Sequence, residues 1–221
     1  MNTGQDRITS KNRLLTTIAW RLNGVTSYAL EGSAFVAGAA VQWLRDGLGI
    51  IQSAPEVEGL ATSVDSSNGV AFVPALAGLG APHWRPEARG ILSGITGGTT
   101  KAHVARAVLE GVALQNVDIL KAMSADADCP IKALKVDGGM SKNNFLMQFQ
   151  ADVLGVDCVR PTVLETTALG AAFLAGLGVG IWSDTAAVRS AWNQDQRFDA
   201  KMPQEQQEKF LSLWQEAVSK A

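Results

Sequence analysis

Two pairs of adjacent glycines, Gly97-Gly98 and Gly138-Gly139, each stand just ahead of a run with helical periodicity. The second pair closes a β-prone run, IKALKVDGG over 131–139, and leads through Met140, Ser141 and Lys142 to Asn143 and a helix. A strand that stops on a double glycine and restarts as a helix narrows the folds open to a chain. Glycine adopts positive φ and lets another backbone or a ligand approach where a Cβ would block it. A helix start then presents unpaired N–H groups and a partial positive charge of about half a unit. The chain has 22 glycines in 221 residues, above the usual share of about 7%. Two such turns from opposite sides could clamp a nucleotide, but double glycines before helices are also common turns, and the pattern alone favours that plain structural reading. The GxxxxGK[ST] loop is absent, and no GxGxxG follows a strand.

The remaining composition excludes several classes. Apolar residues make up 47% and charged residues 18%, with a net charge of −2, so neither a disordered chain nor a polyanion-binding protein is indicated. Nucleic acid and membrane surfaces are not expected partners. Cys129 and Cys158 are isolated, and the only histidines are His83 and His103. These are too few for a zinc site, and they fit reduced core thiols of a cytoplasmic protein. The start, MNTGQDRITSKNR, lacks the apolar core of a secretory signal. Residues 166–183, TTALGAAFLAGLGVGIWS, carry no charge. Their four glycines and the lack of a basic flank favour a buried, closely packed helix ending near Gly176 to Gly180 over a membrane span.

Elements follow in order. LLTTIAW and VTSYALE flank Leu22, Asn23 and Gly24, a hairpin signal. A helix is predicted from Ser33 to about Asp46 on the spacing of Phe35, Val36, Ala40, Trp43 and Leu44, then a short polar helix and a loop over 52–68. GVAFVPALAGLGAPHW, 69–84, begins as a buried strand, and a short apolar run follows at 90–95. A long helix runs from about Thr100 to Met123, and another from Asn144 to Gly155 with Phe145, Phe149 and Val153 on one face. VDCVRP reads as a strand, 183–203 as a polar connector, and the last helix as burying Phe210, Leu213, Trp214 and Ala217. A hairpin followed by alternating helices and strands implies a mixed sheet flanked by helices, in one domain.

Four polar residues near these turns invite a chemical role. Asp137 is read as bracing its turn through Asx-type bonds to backbone N–H groups. His103 suits capping or packing in its helix's first turn, His83 a structural place in its loop, and Glu110 a packing or hydrogen-bond contact.

Longer motifs carry a resemblance. VDGGMSKNNFLMQFQADVLGVDCVRPTVLETTALGAAFLAG, 136–176, resembles the C-terminal region of glycerol kinases, as do YALEGSAFVAGAAVQWLRD, 28–46, and LAGLGAPHWRPEARG, 76–90. GILSGITGGTTKAHVARAVLE, 90–110, is similar to the second signature of the wider carbohydrate kinase family named for its Phe-Gly-Gly-Tyr motif. Gly90, Leu92, Gly94, Ile95, His103, Val104, Ala107, Val108, Leu109 and Glu110 all match it.

The resemblance implies a ribonuclease-H-like domain of the actin and sugar-kinase superfamily, α/β with a mixed sheet and a truncated first strand. Residues 1–221 would form the C-terminal ATP-binding domain, with Gly98 and Ala102 contacting the nucleotide from one turn and Gly139 and Asn143 from the other. Ala113 would line the adenine pocket. ATP or ADP with Mg²⁺ is the implied cofactor. The catalytic Asp, the metal ligands, the glycerol contacts and a phosphate-binding Gly-Thr-Gly all belong to the N-terminal half in this family. No catalytic or metal-binding residue is therefore expected here, and the chain alone is expected to be inactive. Homo-oligomers are implied as well. Two alternatives stay open: a kinase of the same family acting on a pentulose or gluconate, and a non-catalytic nucleotide-binding or assembly module.

Overall fold

The computed structural model describes residues 1–221. After the short strand β1 (Asn2–Gly4), the hairpin strands β2 (Leu15–Leu22) and β3 (Val25–Glu31) pair antiparallel in the order β1-β3-β2. The tight turn needs positive φ at both central residues, and Asn23 and Gly24 supply it at 51° and 80°. Next come α1 (Gly38–Gln42), extended by a π-helical turn over Trp43–Gly47, and α2 (Glu56–Thr62). β4 (Ala71–Val73) and β5 (Ile91–Ser93) form a separate antiparallel pair.

The central element is α3 (Lys101–Ala127), about 40 Å long at 1.5 Å per residue. Its buried side chains include Ala105, Val108, Leu109, Val112 and Val117. Gly111 lies against the Phe72 carbonyl of β4, so close that a Cβ would collide with it. The larger hydrophobic cluster joins α1, α2, β4, α3, α4 (Asn144–Leu154) and α7 (Gln204–Ser219). Farther along α3, Ile119, Ala122 and Met123 pack with Leu14 and Leu30 beside the hairpin in a smaller cluster. α3 is thus the spine shared by both.

The remaining strands are β6 (Leu134–Lys135), β7 (Cys158–Pro161) and β8 (Gln194–Phe198). β6 runs parallel to β7 and β8 antiparallel to it. The mixed α/β class holds, but the strands pair as three sheets, and only this one mixes directions. A 3₁₀ turn over Gly139–Lys142 precedes α4; α5 (Thr166–Gly178) and α6 (Thr185–Ser190) lie between β7 and β8.

Several expectations need correction. The helix expected from Ser33 starts only at Gly38, and Phe35 is 44% exposed, set edge-on to Trp84 at 6.2 Å. The strand expected over 131–139 is confined to Leu134–Lys135. The stretch expected to be a polar connector contains α6 and β8; β8 is exposed until Phe198, so no apolar alternation marks it. Leu213 is half exposed, while Trp214, Ala217 and Val218 are the buried residues of α7. Cys158 is buried, but Cys129 is exposed. α5 forms as expected yet buries only Gly176, which lies against Trp182. Hydropathy records what a surface would gain from burial, not whether a partner stands beside it.

Candidate nucleotide site at two glycine turns

The site is built where α3 and α4 begin. Thr100 donates its backbone N–H to His103 Nδ1 at 3.0 Å, which closes the first turn of α3 and gives His103 its capping role. The N–H groups of Lys101 and Ala102 have no partner within the chain. Gly98 is exposed on the loop ahead of them, and its N–H donates to Thr96 Oγ1 at 3.3 Å. Ala102 is only 7% exposed, so its methyl packs inward and the backbone alone is free to face a ligand.

The second turn is held differently. Gly138 adopts φ 74° and ψ 178°, a conformation essentially restricted to glycine. Its N–H donates to Leu164 O at 2.9 Å, and its carbonyl accepts from Ser141 Oγ at 2.7 Å. Gly139 and Met140 keep unpartnered N–H groups, and open space lies where a Gly139 Cβ would stand. Asn143 caps α4, its Oδ1 accepting from Leu146 N–H at 2.8 Å. Glu58 of α2 accepts from Phe145 N–H at 3.0 Å. These bonds take up the Phe145 and Leu146 N–H groups at the start of α4, while the Asn144 N–H has no partner within the chain. The free donors on this side are therefore those of Gly139 and Met140 in the 3₁₀ turn and of Asn144 at the helix start.

The two helix starts meet. The Arg106 guanidinium lies 4.8 Å from the centre of the Phe145 ring, one turn past Ala102 and two residues past Asn143. Arg106 also donates to Val64 O at 2.5 Å and to Glu110 at 2.9 Å, so α2, α3 and α4 are tied at one end. Burial raises the Glu110 carboxyl above the ordinary glutamate range, while Arg106 and Ser67 pull it back. Glu110 therefore makes a structural contact, as expected.

Other candidates fall outside this arrangement. Ala113 is fully buried in the core, and its carbonyl accepts from Gln150 Nε2 at 3.1 Å. Asp137 accepts from the Thr166 hydroxyl instead of bracing its own turn through backbone N–H groups. His83 binds Asp118 Oδ2 at 2.9 Å, and Trp214 Nε1 donates to the same oxygen at 2.7 Å. No group of three or more His, Cys, Asp or Glu is gathered that could hold a metal ion. A cavity of about 310 Å³ adjoins the second turn through Asp137, Met140 and Ser141, but neither Gly98 nor Ala102 lines it.

Reading the sequence missed Arg106, Glu58 and Arg160. The i,i+4 spacing of Arg106 and Glu110 was a visible signal for the first. Arg160 stands as a lone charge in the apolar run CVRP. Nothing local marks Glu58.

Residues 3–179 match the model of the FGGY family of carbohydrate kinases, C-terminal domain. The chain belongs to this family. Glycerol kinases of Burkholderia multivorans and Myxococcus xanthus are each 59% identical to it across the whole chain, which spans 44% and 45% of their lengths. A crystal structure of Plasmodium falciparum glycerol kinase with ADP superposes with a TM-score of 0.91 at 38% identity, covering all of this chain and 44% of that one. The FGGY chain therefore has the actin- and sugar-kinase-like fold. It spans less than half the length of these relatives. No helix in it is long and apolar enough to cross a membrane.

Proposed function

We propose that residues 1–221 form the ATP- and ADP-binding C-terminal domain of a glycerol kinase, with nucleotide lying along the starts of α3 and α4. The observation that carries the reading is the meeting of the two helix starts through Arg106 and Phe145, which sets both glycine turns at one end of the helix pair. Gly98 and the Ala102 backbone form one side; Gly139 and Asn143 form the other. The free N–H groups of Gly139 and Met140 suit phosphate oxygens, and the unused amide nitrogen of Asn143 suits a polar edge of the nucleotide. The ADP-bound relative supports the ligand class, and the identity to glycerol kinases favours glycerol over a pentulose or gluconate.

The parent reaction would move the γ-phosphoryl of ATP to a terminal hydroxyl of glycerol, giving ADP and glycerol 3-phosphate. This chain's part is to bind and orient the nucleotide and to shield it from water. A magnesium ion carried with the phosphates would neutralise charge, but its ligands are assigned outside these residues. Asp137 is engaged by Thr166, which argues against its serving as the base. The chain alone is therefore assigned no turnover. The same reading carries a cytoplasmic location.

Isothermal titration of the folded chain with ADP tests the site. Saturable binding is the expected result; a folded chain that gives no binding heat overturns it. Glycerol-dependent ADP release by the purified chain would overturn the assignment of catalysis elsewhere.

A further inference from the structure

We propose that Arg160 is a positioning residue for the nucleotide site, holding the 138–143 turn in the shape that leaves Gly139 and Met140 N–H free. The inference rests on the nucleotide reading above and deepens it. Arg160 stands on β7 with its side chain only 12% exposed. Its Nη1 donates to Ser141 O at 2.8 Å and to Asn144 Oδ1 at 2.9 Å. These two acceptors straddle Asn143, so one nitrogen fixes both flanks of that residue. On its other side Nε donates to Asp195 Oδ2 at 2.7 Å and Nη2 to Gln196 Oε1 at 2.9 Å, both on β8. The guanidinium carbon lies 5.3 Å from the Phe198 ring centre, which closes its remaining face.

The arrangement engages four of the five N–H donors of the planar arginine fork. Nη1 donates to the turn and to the first residue of α4, while Nε and Nη2 anchor the group to the sheet. A lysine ammonium is a point charge without that fork, and it cannot reproduce both sets of bonds. The other restraints on the turn are mostly its own: Ser141 donates through N–H and Oγ to Gly138 O, Asn143 N–H donates to Met140 O, and Gly138 N–H is held by Leu164. Arg160 is the side chain that ties this turn to the sheet, while Gly139 and Met140 make no bonds through their own N–H groups. Without Arg160 the Ser141 carbonyl loses its side-chain donor, and the segment that presents those groups gains freedom. Arg160 acts on nucleotide through the turn and not by contact.

Arg160→Gln and Arg160→Lys, made in the full 221-residue chain, test this, with Asp195→Asn as a variant that spares the bonds to the turn. Two readouts are taken: ADP affinity by calorimetry, and amide hydrogen exchange at Ser141 and Asn143 without ligand. The expected result is ADP binding weaker by about tenfold or more for Arg160→Gln, equivalent to about 1.4 kcal/mol. Faster exchange at Ser141 and Asn143 should accompany it, with exchange at Phe149 in mid-helix unchanged. Arg160→Lys should fall between Arg160→Gln and the unaltered chain, and Asp195→Asn should lie near the latter. Faster exchange spread over all of α4 assigns Arg160 a general structural role and overturns the proposal, as does ADP binding within twofold of the unaltered chain. If the unaltered chain fails to bind ADP, the nucleotide reading itself falls and the positioning role falls with it. If Arg160→Gln does not fold, Arg160→Lys decides: unchanged affinity and exchange overturn the proposal, and a selective loss supports it.

Discussion

The guanidinium of Arg106 lies 4.8 Å from the centre of the Phe145 ring. Through that contact a residue in the second turn of α3 meets one in the first turn of α4, and two glycine turns 41 residues apart in the chain, starting at Gly97 and Gly138, are brought to one end of the helix pair. Arg106 is 17% exposed and Glu110 is 5% exposed, so the pair is largely withdrawn from water. Arg106→Ala would leave the carboxylate of Glu110 without its charge partner. Such a loss typically costs about 3 kcal/mol or more, measurable by urea unfolding. A loss below about 1 kcal/mol would mean that the contact does not hold the helix starts together.

The same pair predicts a pH dependence. Burial raises the folded-state pKa of Glu110 above its ordinary value of 4.5. A raised folded pKa means that the native state holds the proton more tightly than the unfolded chain. The stabilisation is complete below the unfolded value and is lost as pH rises through the folded one. Glu110→Gln has no charge to desolvate and keeps an acceptor for Arg106. Its stability relative to the unaltered chain should therefore rise as pH increases above the ordinary value of 4.5. A difference that stays flat or shrinks over that range contradicts the assignment.

Asn143 separates capping from ligand contact. Asn143→Ala removes the acceptor for Leu146 N–H and should cost about 1 kcal/mol of stability. Asn143→Asp keeps the cap and should restore that stability, yet it replaces the amide donor with a negative charge beside an anionic ligand. ADP affinity should drop in both variants. Recovery of ADP binding together with stability in Asn143→Asp would show Asn143 to be a cap only.

The adjacent glycines should respond oppositely. Gly138→Ala forces a side chain into φ 74° and should destabilise by about 1–3 kcal/mol. At Gly139 no atom lies within 4 Å of an added Cβ, so Gly139→Ala should leave the melting temperature unchanged. It should weaken ADP binding, because the methyl enters the space assigned to phosphate. Unimpaired ADP affinity in Gly139→Ala would move the ligand away from this turn.

The cysteines differ in reactivity. Burial pushes the Cys158 thiol up to about 12, while Cys129 is exposed. Iodoacetamide at mildly alkaline pH should add one group per folded chain, at Cys129, and two after unfolding. Mass spectrometry of the intact chain distinguishes the cases, and labelling of Cys158 in the folded chain would contradict its burial.

Local patterns carried much of the secondary structure. Asn-Gly at positive φ defines the hairpin whatever surrounds it, and the spacing of Phe145, Phe149 and Val153 gives α4 a face that is apolar in any context. Both glycine turns and the capping tendency of His103 were readable for the same reason, since each depends on residues within a few positions. β8 was not readable, because an edge strand exposed on both sides needs no apolar alternation.

The sequence by itself determined the α/β class, the two glycine turns and the family motifs, all of which live in short windows of chain. Tertiary structure alone decided which N–H groups remain free. Glu58, from a separate helix, takes up the Phe145 N–H at the start of α4, and Arg160, from a neighbouring strand, bonds the turn before it. It also decided that α5, apolar along its length, stays largely exposed. Hydrogen-bond donors and apolar faces are written locally, but whether each finds a partner depends on residues brought near only by the fold.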